Sequence, residues 1–397
     1  MKIVFLHNDF RVYWKGRLFF LKRFLSNYNI SINVIEIFGK GSPYSFDKIY
    51  RELDWWECLF IEDNLADLNK KKVAEVISQR LDEINPDFII CGSIVFTSGA
   101  IGVRWAIKNN KKIILFDDAK HSEYRRNIIV NYIKKYLTKQ ADAYLVPSTD
   151  YDSEYLKWGI SKEKLLYGLN CIDNSFFSSK TRRLTRKSKT IICVARLVPI
   201  KNLQSLVHAW KTVEEQNNEY HLLIIGEGPE FNNLTQLIKK LELSKIKLLG
   251  YQDRRVIARL LAQSEAFILP SFLEGWGLVV NEAMAAGLPI LVSIHINSAH
   301  TLLSNNVNGF SFDPYLQQKI SDVILQFIAL SNKEKTCMSR NALSRVHKLS
   351  YQFLGDELVK AINKTSTKKK IKTSFWGKII VNSWSGKFRT SNWDILN

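Results

Sequence analysis

Leu269-Pro270-Ser271-Phe272-Leu273-Glu274-Gly275-Trp276-Gly277-Leu278-Val279-Val280-Asn281-Glu282-Ala283-Met284-Ala285-Ala286-Gly287-Leu288-Pro289 carries the most informative pattern in the chain. An apolar run, Ala266 to Leu269, feeds a loop that carries two glycines. A helix-forming segment, Val279 to Ala286, follows, and a second apolar run, Ile290 to Ser293, resumes after Pro289. Strand, helix and strand in that order make a βαβ unit, whose two strands lie parallel in one sheet.

The rhythm extends in both directions. Upstream, apolar runs at Thr190 to Ala195, His221 to Ile225 and Lys245 to Leu249 alternate with helical stretches near Leu203 to Glu214, Asn233 to Leu241 and Val256 to Gln263. The first half repeats the pattern, with strands at Lys2 to His7, Ile30 to Phe38, Asp87 to Cys91, Lys112 to Phe116 and Ala141 to Val146. Helices are expected there at Leu18 to Ser26, Lys72 to Glu83, Gly99 to Lys108 and Asn127 to Leu137. Residues 174–189 are polar and basic, with almost no apolar periodicity, and read as a linker. The expected fold class is α/β: two facing Rossmann-like doubly wound domains, residues 1–173 and 190–350, with the ligand in the cleft at the carboxyl ends of the strands. Residues 351–364 read as a carboxyl-terminal helix, and residues 365–397 as a basic aromatic tail.

Composition agrees. Of 397 residues 46% are hydrophobic and 24% charged, with 18 Gly and 8 Pro, which excludes a disordered chain and disfavours turn-dense sandwiches and propellers. Lys and Arg number 57 against 38 Asp and Glu, so a net charge of +19 draws in anions such as nucleotides, nucleic acid or an acidic membrane face. The five Cys are scattered and form no C-x-x-C pair, which indicates neither a disulfide framework nor a zinc site and fits a reducing compartment. The amino terminus lacks a signal-peptide core, and no apolar run approaches the ~20 residues that cross a bilayer. A cytoplasmic protein is expected, with any membrane contact peripheral and on the inner face.

The chemistry is concentrated in the quoted stretch. Gly275 and Gly277 let backbone approach a ligand, and a helix starting near Leu278 presents free N–H groups that favour a phosphate. Glu274 before that helix and Glu282 inside it can hold separated hydroxyls of one extended ligand. Arg196 offers a planar fork and Lys201 a compact ammonium, both suited to a diphosphate whose charge grows as it leaves. Gly226-Glu227-Gly228 is followed by Phe231 where a dinucleotide fingerprint needs glycine, so hydride transfer is disfavoured.

These segments resemble those of the retaining nucleotide-sugar glycosyltransferases of family 4, which have the GT-B architecture of two facing Rossmann-like domains; the resemblance implies that the helix of residues 351–364 crosses back to the first domain. The resemblance rests on Pro270-Ser271, the loop glycines, Glu274, Glu282 and Ala286-Gly287-Leu288-Pro289. Ahead of them, in the family's order, come Val194-Ala195-Arg196 with Lys201-Asn202, then Ile225-Gly226-Glu227-Gly228-Pro229. It implies transfer of a sugar from a UDP- or GDP-linked donor to a hydroxyl of a glycan or lipid-linked acceptor in surface polysaccharide synthesis, with no cofactor and no metal. Glu274, Arg196 and Lys201 become the catalytic candidates. By the same resemblance Glu282 holds ribose hydroxyls, Glu274 a sugar hydroxyl, and Arg196, Lys201 and the helix start at Leu278 the diphosphate. Gly226, Gly228, Tyr251, Gly275, Trp276, Gly277 and, in the first loop, Gly16 complete the implied binding set.

The chain also departs from the family. Asn297-Ser298-Ala299-His300-Thr301 stands where many members have two glycines and then Pro-Glu, so a donor-sugar glutamate is missing. His121 lies several residues beyond the family's position and reads as an ordinary loop residue. Lys120, Arg125 and Arg126 form a basic cluster that suits an anionic acceptor. The tail mixes Lys368, Lys369, Lys370 and Lys372 with Phe375, Trp376, Trp384 and Trp393, a composition suited to an anionic membrane face. A sugar-nucleotide epimerase of the same fold and a non-catalytic nucleotide-binding protein are the alternatives. Nucleic-acid binding is disfavoured because no nucleic-acid motif accompanies the charge.

Overall fold

The computed structural model describes residues 1–10, 13–40, 53–64, 67–123, 127–181, 188–366 and 374–388. The chain begins β1 (Lys2–His7), α1 (Tyr13–Ser26), β2 (Ser31–Lys40), β3 (Trp56–Asn64), α2 (Lys70–Ile84), β4 (Phe88–Gly92), α3 (Thr97–Lys108), β5 (Lys112–Phe116), α4 (Ile128–Lys139), β6 (Ala143–Leu145), α5 (Asp152–Lys157) and β7 (Leu165–Leu166). It continues α6 (Asn174–Thr181), β8 (Thr190–Val194), α7 (Leu203–Gln216), β9 (His221–Ile225), α8 (Phe231–Lys240), β10 (Ile246–Leu248), α9 (Arg254–Gln263), β11 (Ala266–Leu269) and α10 (Leu278–Ala285). It closes with β12 (Ile290–Ser293), α11 (Asn297–Leu302), β13 (Gly309–Phe312), α12 (Gln317–Ala329), α13 (Asn332–Val346), α14 (Tyr351–Ser366) and α15 (Phe375–Ser383). Two units result: Met1–Asn170 together with the stretch that begins at Tyr351, and Cys171–Ser350.

The first unit holds a seven-stranded sheet in the order β3-β2-β1-β4-β5-β6-β7, with every pair parallel. A parallel sheet is covered on both faces, so its central strands must be apolar throughout. Phe88–Gly92 meets this requirement with every residue buried, and Val4, Phe5 and Leu6 are sealed beside it. α2 and α4 start where local caps supply acceptors: Asn69 accepts from the Lys71 amide and Asn127 from the Val130 amide, at 2.8 Å each. Strand order reverses between β1 and β4, which places the switch point at the loops after His7 and Gly92.

The end of the chain joins this unit. α14 packs on α1, and α15 packs on α3 and α4. Beyond α15, Trp384–Phe388 runs along the loop after β4. The Lys387 amide donates to the Val95 carbonyl at 2.7 Å and the Lys387 carbonyl accepts from the Thr97 amide at 3.0 Å. The Trp384 indole donates to the Ile94 carbonyl at 2.7 Å, and Asn8 donates to the Phe388 carbonyl at 2.9 Å. This strap therefore lies across the switch point of the first sheet.

The second unit holds a six-stranded sheet in the order β10-β9-β8-β11-β12-β13, again parallel in every pair. Its central strands β11 and β12 are wholly buried. The reading of residues 174–189 as a linker is corrected in its first part. Asn174–Thr181 is a helix that packs on α9 and α10, and the Asn174 amide group donates to the Val346 and Leu349 carbonyls. Phe177 is its buried anchor; a single apolar contact of this kind leaves little periodicity to read. Arg182, Arg183, Arg186 and Lys187 of that stretch lie outside the described residues. So do Arg125 and Arg126 of the basic cluster, and Lys368 to Lys370, Lys372 and Trp393 of the tail.

Candidate functional site

In the second unit the parallel strands deliver their following loops to one end of the sheet. The loop after β8 carries Arg196 and, on a short turn Pro199–Lys201, Lys201. Asn202 then adopts a left-handed backbone (φ 55°) and donates to the carbonyls of Pro270 at 3.2 Å and Pro314 at 2.9 Å, which binds this loop to those after β11 and β13. Lys201 is thereby delivered to Glu274. The ammonium and carboxylate are ion-paired and buried, and Ser271 donates to the same carboxylate oxygen at 3.1 Å. The structure thus brings together two of the catalytic candidates that lie far apart in sequence.

Gly277 caps α10 with a positive φ of 85°, a conformation that favours glycine, and, having no side chain, it offers the first-turn amides no side-chain cap; the Val280 amide donates to the Gly277 carbonyl at 2.9 Å. A Cβ at Gly275 would meet nothing within 4 Å, so the backbone there borders open space. Both properties suit an anion approaching the helix start at Leu278. Trp276, expected among the binding residues, turns its indole inward instead, where it donates to Asn281 at 2.9 Å and fixes the loop to α10. The loop is held from the other side by the stretch after β12. The Glu274 amide donates to the His295 carbonyl at 3.2 Å, the Ser298 amide to the Trp276 carbonyl at 3.1 Å, and the Asn297 side chain to the Gly275 carbonyl at 3.0 Å.

Gly226 and Gly228 have a local reason to be glycine. An added Cβ would stand 1.8 Å from the Ala195 carbonyl oxygen at Gly226 and 2.3 Å from the Leu197 carbonyl oxygen at Gly228. They let the loop after β9 press against the backbone on either side of Arg196, and the Leu197 amide donates to the Glu227 carbonyl at 2.8 Å across that contact. Their visible role is to position Arg196. Tyr251, after β10, is exposed at the same end of the sheet, and Gly250 before it accepts from the Gly226 amide at 3.0 Å.

Glu282 sits one turn inside α10 and is buried. Burial pushes its carboxyl up to about 7, and the Arg254 guanidinium pulls the other way. Arg254, at the first turn of α9, lies 4.7 Å over the Phe176 ring and 5.2 Å over that of Phe177 on α6. Sequence reading missed Arg254 because its partners come from α6 and α10, neither of which is near it in the chain. The Asp253 cap, which accepts from the amides of Arg255 and Val256, was the available local signal. Ser298 was also missed. Its hydroxyl is buried with no hydrogen-bond partner among the described residues, and it faces Gly277.

In the first unit the expected loop position of one residue is corrected. Gly16 is not in a ligand loop but inside α1, where an added Cβ would stand 2.4 Å from the Tyr351 hydroxyl of α14. Its small size serves helix packing. His121 lies in a short turn with its ring 5.7 Å from that of Trp158, and Lys120 lies 5.2 Å over the Tyr151 ring. A different histidine is prominent. His7, at the end of β1, is ringed by Phe10, Phe96 and Phe116, and burial lowers its pKa to about 4 against the pull of Asp9. Its Nδ1 is 3.4 Å from the Ser98 hydroxyl.

Residues 175–345 match the family described as Glycosyl transferases group 1. The amylovoran biosynthesis glycosyltransferase AmsK of Erwinia amylovora is 28% identical over 229 residues, 55% of this chain and 56% of that protein. The UDP-Gal:alpha-D-GlcNAc-diphosphoundecaprenol alpha-1,3-galactosyltransferase of Escherichia coli is 31% identical over 206 residues, 49% of this chain and 52% of that protein. The chain thus spans little more than half the length of these curated relatives. Homologues of the chain are glycosyltransferases of polysaccharide and glycan biosynthesis. Among solved structures, a glycosyltransferase from Rickettsia africae superposes with a TM-score of 0.73 at 18% identity, over 92% of this chain and 98% of that one. Anabaena Alr3699/HepE in complex with UDP-glucose gives a TM-score of 0.69 at 16% identity, over 92% and 100%. The two parallel-sheet α/β units have the fold of GT-B glycosyltransferase structures.

Proposed function

We propose that the protein is a retaining glycosyltransferase of the family 4 type, moving a sugar from a nucleotide donor to a hydroxyl of a glycan or lipid-linked acceptor in surface polysaccharide synthesis. The reading places it in the cytoplasm, beside the inner face of the cell membrane. The observation that carries it is the buried Lys201–Glu274 pair set against the open helix start at Gly275–Leu278. A cation, a hydrogen-bonding carboxylate and a helix start without a side-chain cap suit a sugar diphosphate. The names of relatives that build polysaccharides, and a structural neighbour holding UDP-glucose, support the same substrate class.

In this reading the bond from the anomeric carbon to the diphosphate breaks, the acceptor oxygen becomes bonded to that carbon with its configuration kept, and the acceptor proton leaves with the nucleoside diphosphate. Arg196, Lys201 and the amides of α10 meet the charge that develops on the departing diphosphate, so the transfer proceeds without a metal. Glu274 accepts from a sugar hydroxyl and Glu282 from the ribose. Ser298 adds a hydroxyl at Gly277, where many family members would have the glycine-rich approach.

The test is thermal shift of the intact chain and of Glu282→Ala with UDP, GDP, ADP and their sugars. A ligand at 100 times its Kd stabilises by about 2.7 kcal/mol. A shift with one base that disappears in the variant supports the reading. Absence of any shift in a folded sample rejects it. Product analysis with and without acceptor separates transfer from epimerisation.

A further inference from the structure

We propose that α4 and α15 together form the docking surface of the first unit for an anionic lipid bilayer. The inference deepens the membrane-side placement of the transferase reading and rests on it for its purpose, though its residues belong to the first unit alone. The two helices are in contact. Ile128, Ile129 and Tyr132 on α4, with Phe375, Trp376 and Ile379 on α15, are between 46% and 86% exposed. Six large apolar side chains this exposed on two touching helices are not explained by the unit's own core.

α15 is a fixed part of this surface. Ser374 caps it by accepting from the Gly377 amide at 3.1 Å, and its inner side, Gly377 and Val381, is buried. The strap beyond it is tied to the loop after β4 by the hydrogen bonds of Trp384 and Lys387, so the outward face of Phe375, Trp376 and Ile379 is held in place.

Charge selects the occupant. Lys135, Lys139 and Lys378 are exposed on the same two helices. No Asp or Glu occurs from Tyr124 to Ala141 or from Leu358 to Trp393. Aromatic and aliphatic side chains with lysines and no carboxylate match the interfacial region of an anionic leaflet, where rings sit at headgroup level and ammonium groups meet phosphates.

The full chain is to be cosedimented with vesicles of phosphatidylcholine alone and of phosphatidylcholine mixed with phosphatidylglycerol. The variants are Ile128→Ser/Ile129→Ser, Phe375→Ser/Trp376→Ser and Lys378→Glu, with the exposed Leu156→Ser on α5 as control, all checked by thermal melting. Binding to the anionic vesicles is expected, falling about tenfold in each double variant and several-fold in Lys378→Glu, with the control unchanged. Unchanged binding in the α4 variant, absence of anionic-vesicle binding, or loss of self-association in place of vesicle binding would each overturn the proposal. UDP thermal shift on the same samples reports on the second unit. A chain that binds UDP and not vesicles refutes only the docking surface; one that binds vesicles and no nucleotide refutes only the transferase reading.

Discussion

The Lys201 ammonium and the Glu274 carboxylate form an ion pair with side chains only 8% and 9% exposed, joining the loop after β8 to the loop after β11. Breaking a buried pair from one side leaves an uncompensated charge, at a cost of about 3–5 kcal/mol. Lys201→Met and Glu274→Gln alone are therefore expected to lower unfolding stability strongly. The double variant should recover much of that loss, while sugar transfer stays abolished in all three. Urea unfolding of the four proteins gives the coupling; additive losses would show that the pair does not act as a unit.

Glu282 makes stability and binding oppose each other. An ordinary glutamate loses its proton near 4.5, whereas in the folded protein this one holds it up to about 7. The folded state binds the extra proton between those values, so stability contributed by the group declines as pH rises from about 4.5 and levels off above about 7. The full excursion is on the order of 3 kcal/mol. Glu282→Gln is expected to remove that decline and to melt higher than the parent at pH 8, while binding the nucleotide more weakly.

His7 has the opposite sign: held neutral down to about 4, it contributes stability that is present above about 6.5 and lost as pH falls. The parent should therefore show partly cancelling slopes between pH 4.5 and 6.5, and the Glu282→Gln variant should expose that of His7. A parent and variant with identical pH–stability curves would refute the assignment for Glu282.

The loop glycines divide into two kinds. Gly226→Ala forces a Cβ onto the Ala195 carbonyl, so a loss of about 1–3 kcal/mol in stability and a displaced Arg196 are expected together. Gly275→Ala has open space around it and should leave the melting temperature unchanged. If a donor approaches that backbone, affinity for the nucleotide sugar should still fall. Calorimetric binding beside melting curves distinguishes the two effects.

Gly16 provides the reverse control. Gly16→Ala should destabilise the first unit by about 1–3 kcal/mol through its collision with the Tyr351 hydroxyl, without changing nucleotide affinity. Adding Tyr351→Phe removes the colliding atom and should restore part of the loss. Weakened nucleotide binding in a folded Gly16→Ala protein would return Gly16 to the binding set.

Much of the fold was legible because its signals are local. Lys2–His7, Lys112–Phe116, His221–Ile225, Ala266–Leu269 and Ile290–Ser293 are strands with the bounds that their apolar runs predict. β3 was not, because the polar and acidic residues of Trp-Glu-Cys-Leu-Phe-Ile-Glu-Asp-Asn are tolerated on a sheet edge and blur a strand signal. β7, β13 and the helices α5, α6, α11, α12, α13 and α15 also have no counterpart in the sequence pattern. α6 has little apolar periodicity, and its place comes from packing on α9 and α10.

The alternation of strand and helix, the two parallel sheets and the chemical types gathered from Leu269 to Pro289 are all set locally along the chain. They depend on side-chain periodicity and on caps a few residues away. Which charges are buried and what meets them follows from folding alone: Lys201 against Glu274, Arg254 near Glu282, Gly226 and Gly228 beneath the Arg196 loop, and Gly16 against Tyr351. Burial, and hence the protonation of Glu282, is set by segments that arrive from elsewhere in the chain, and their arrival has no signature in the residues they cover.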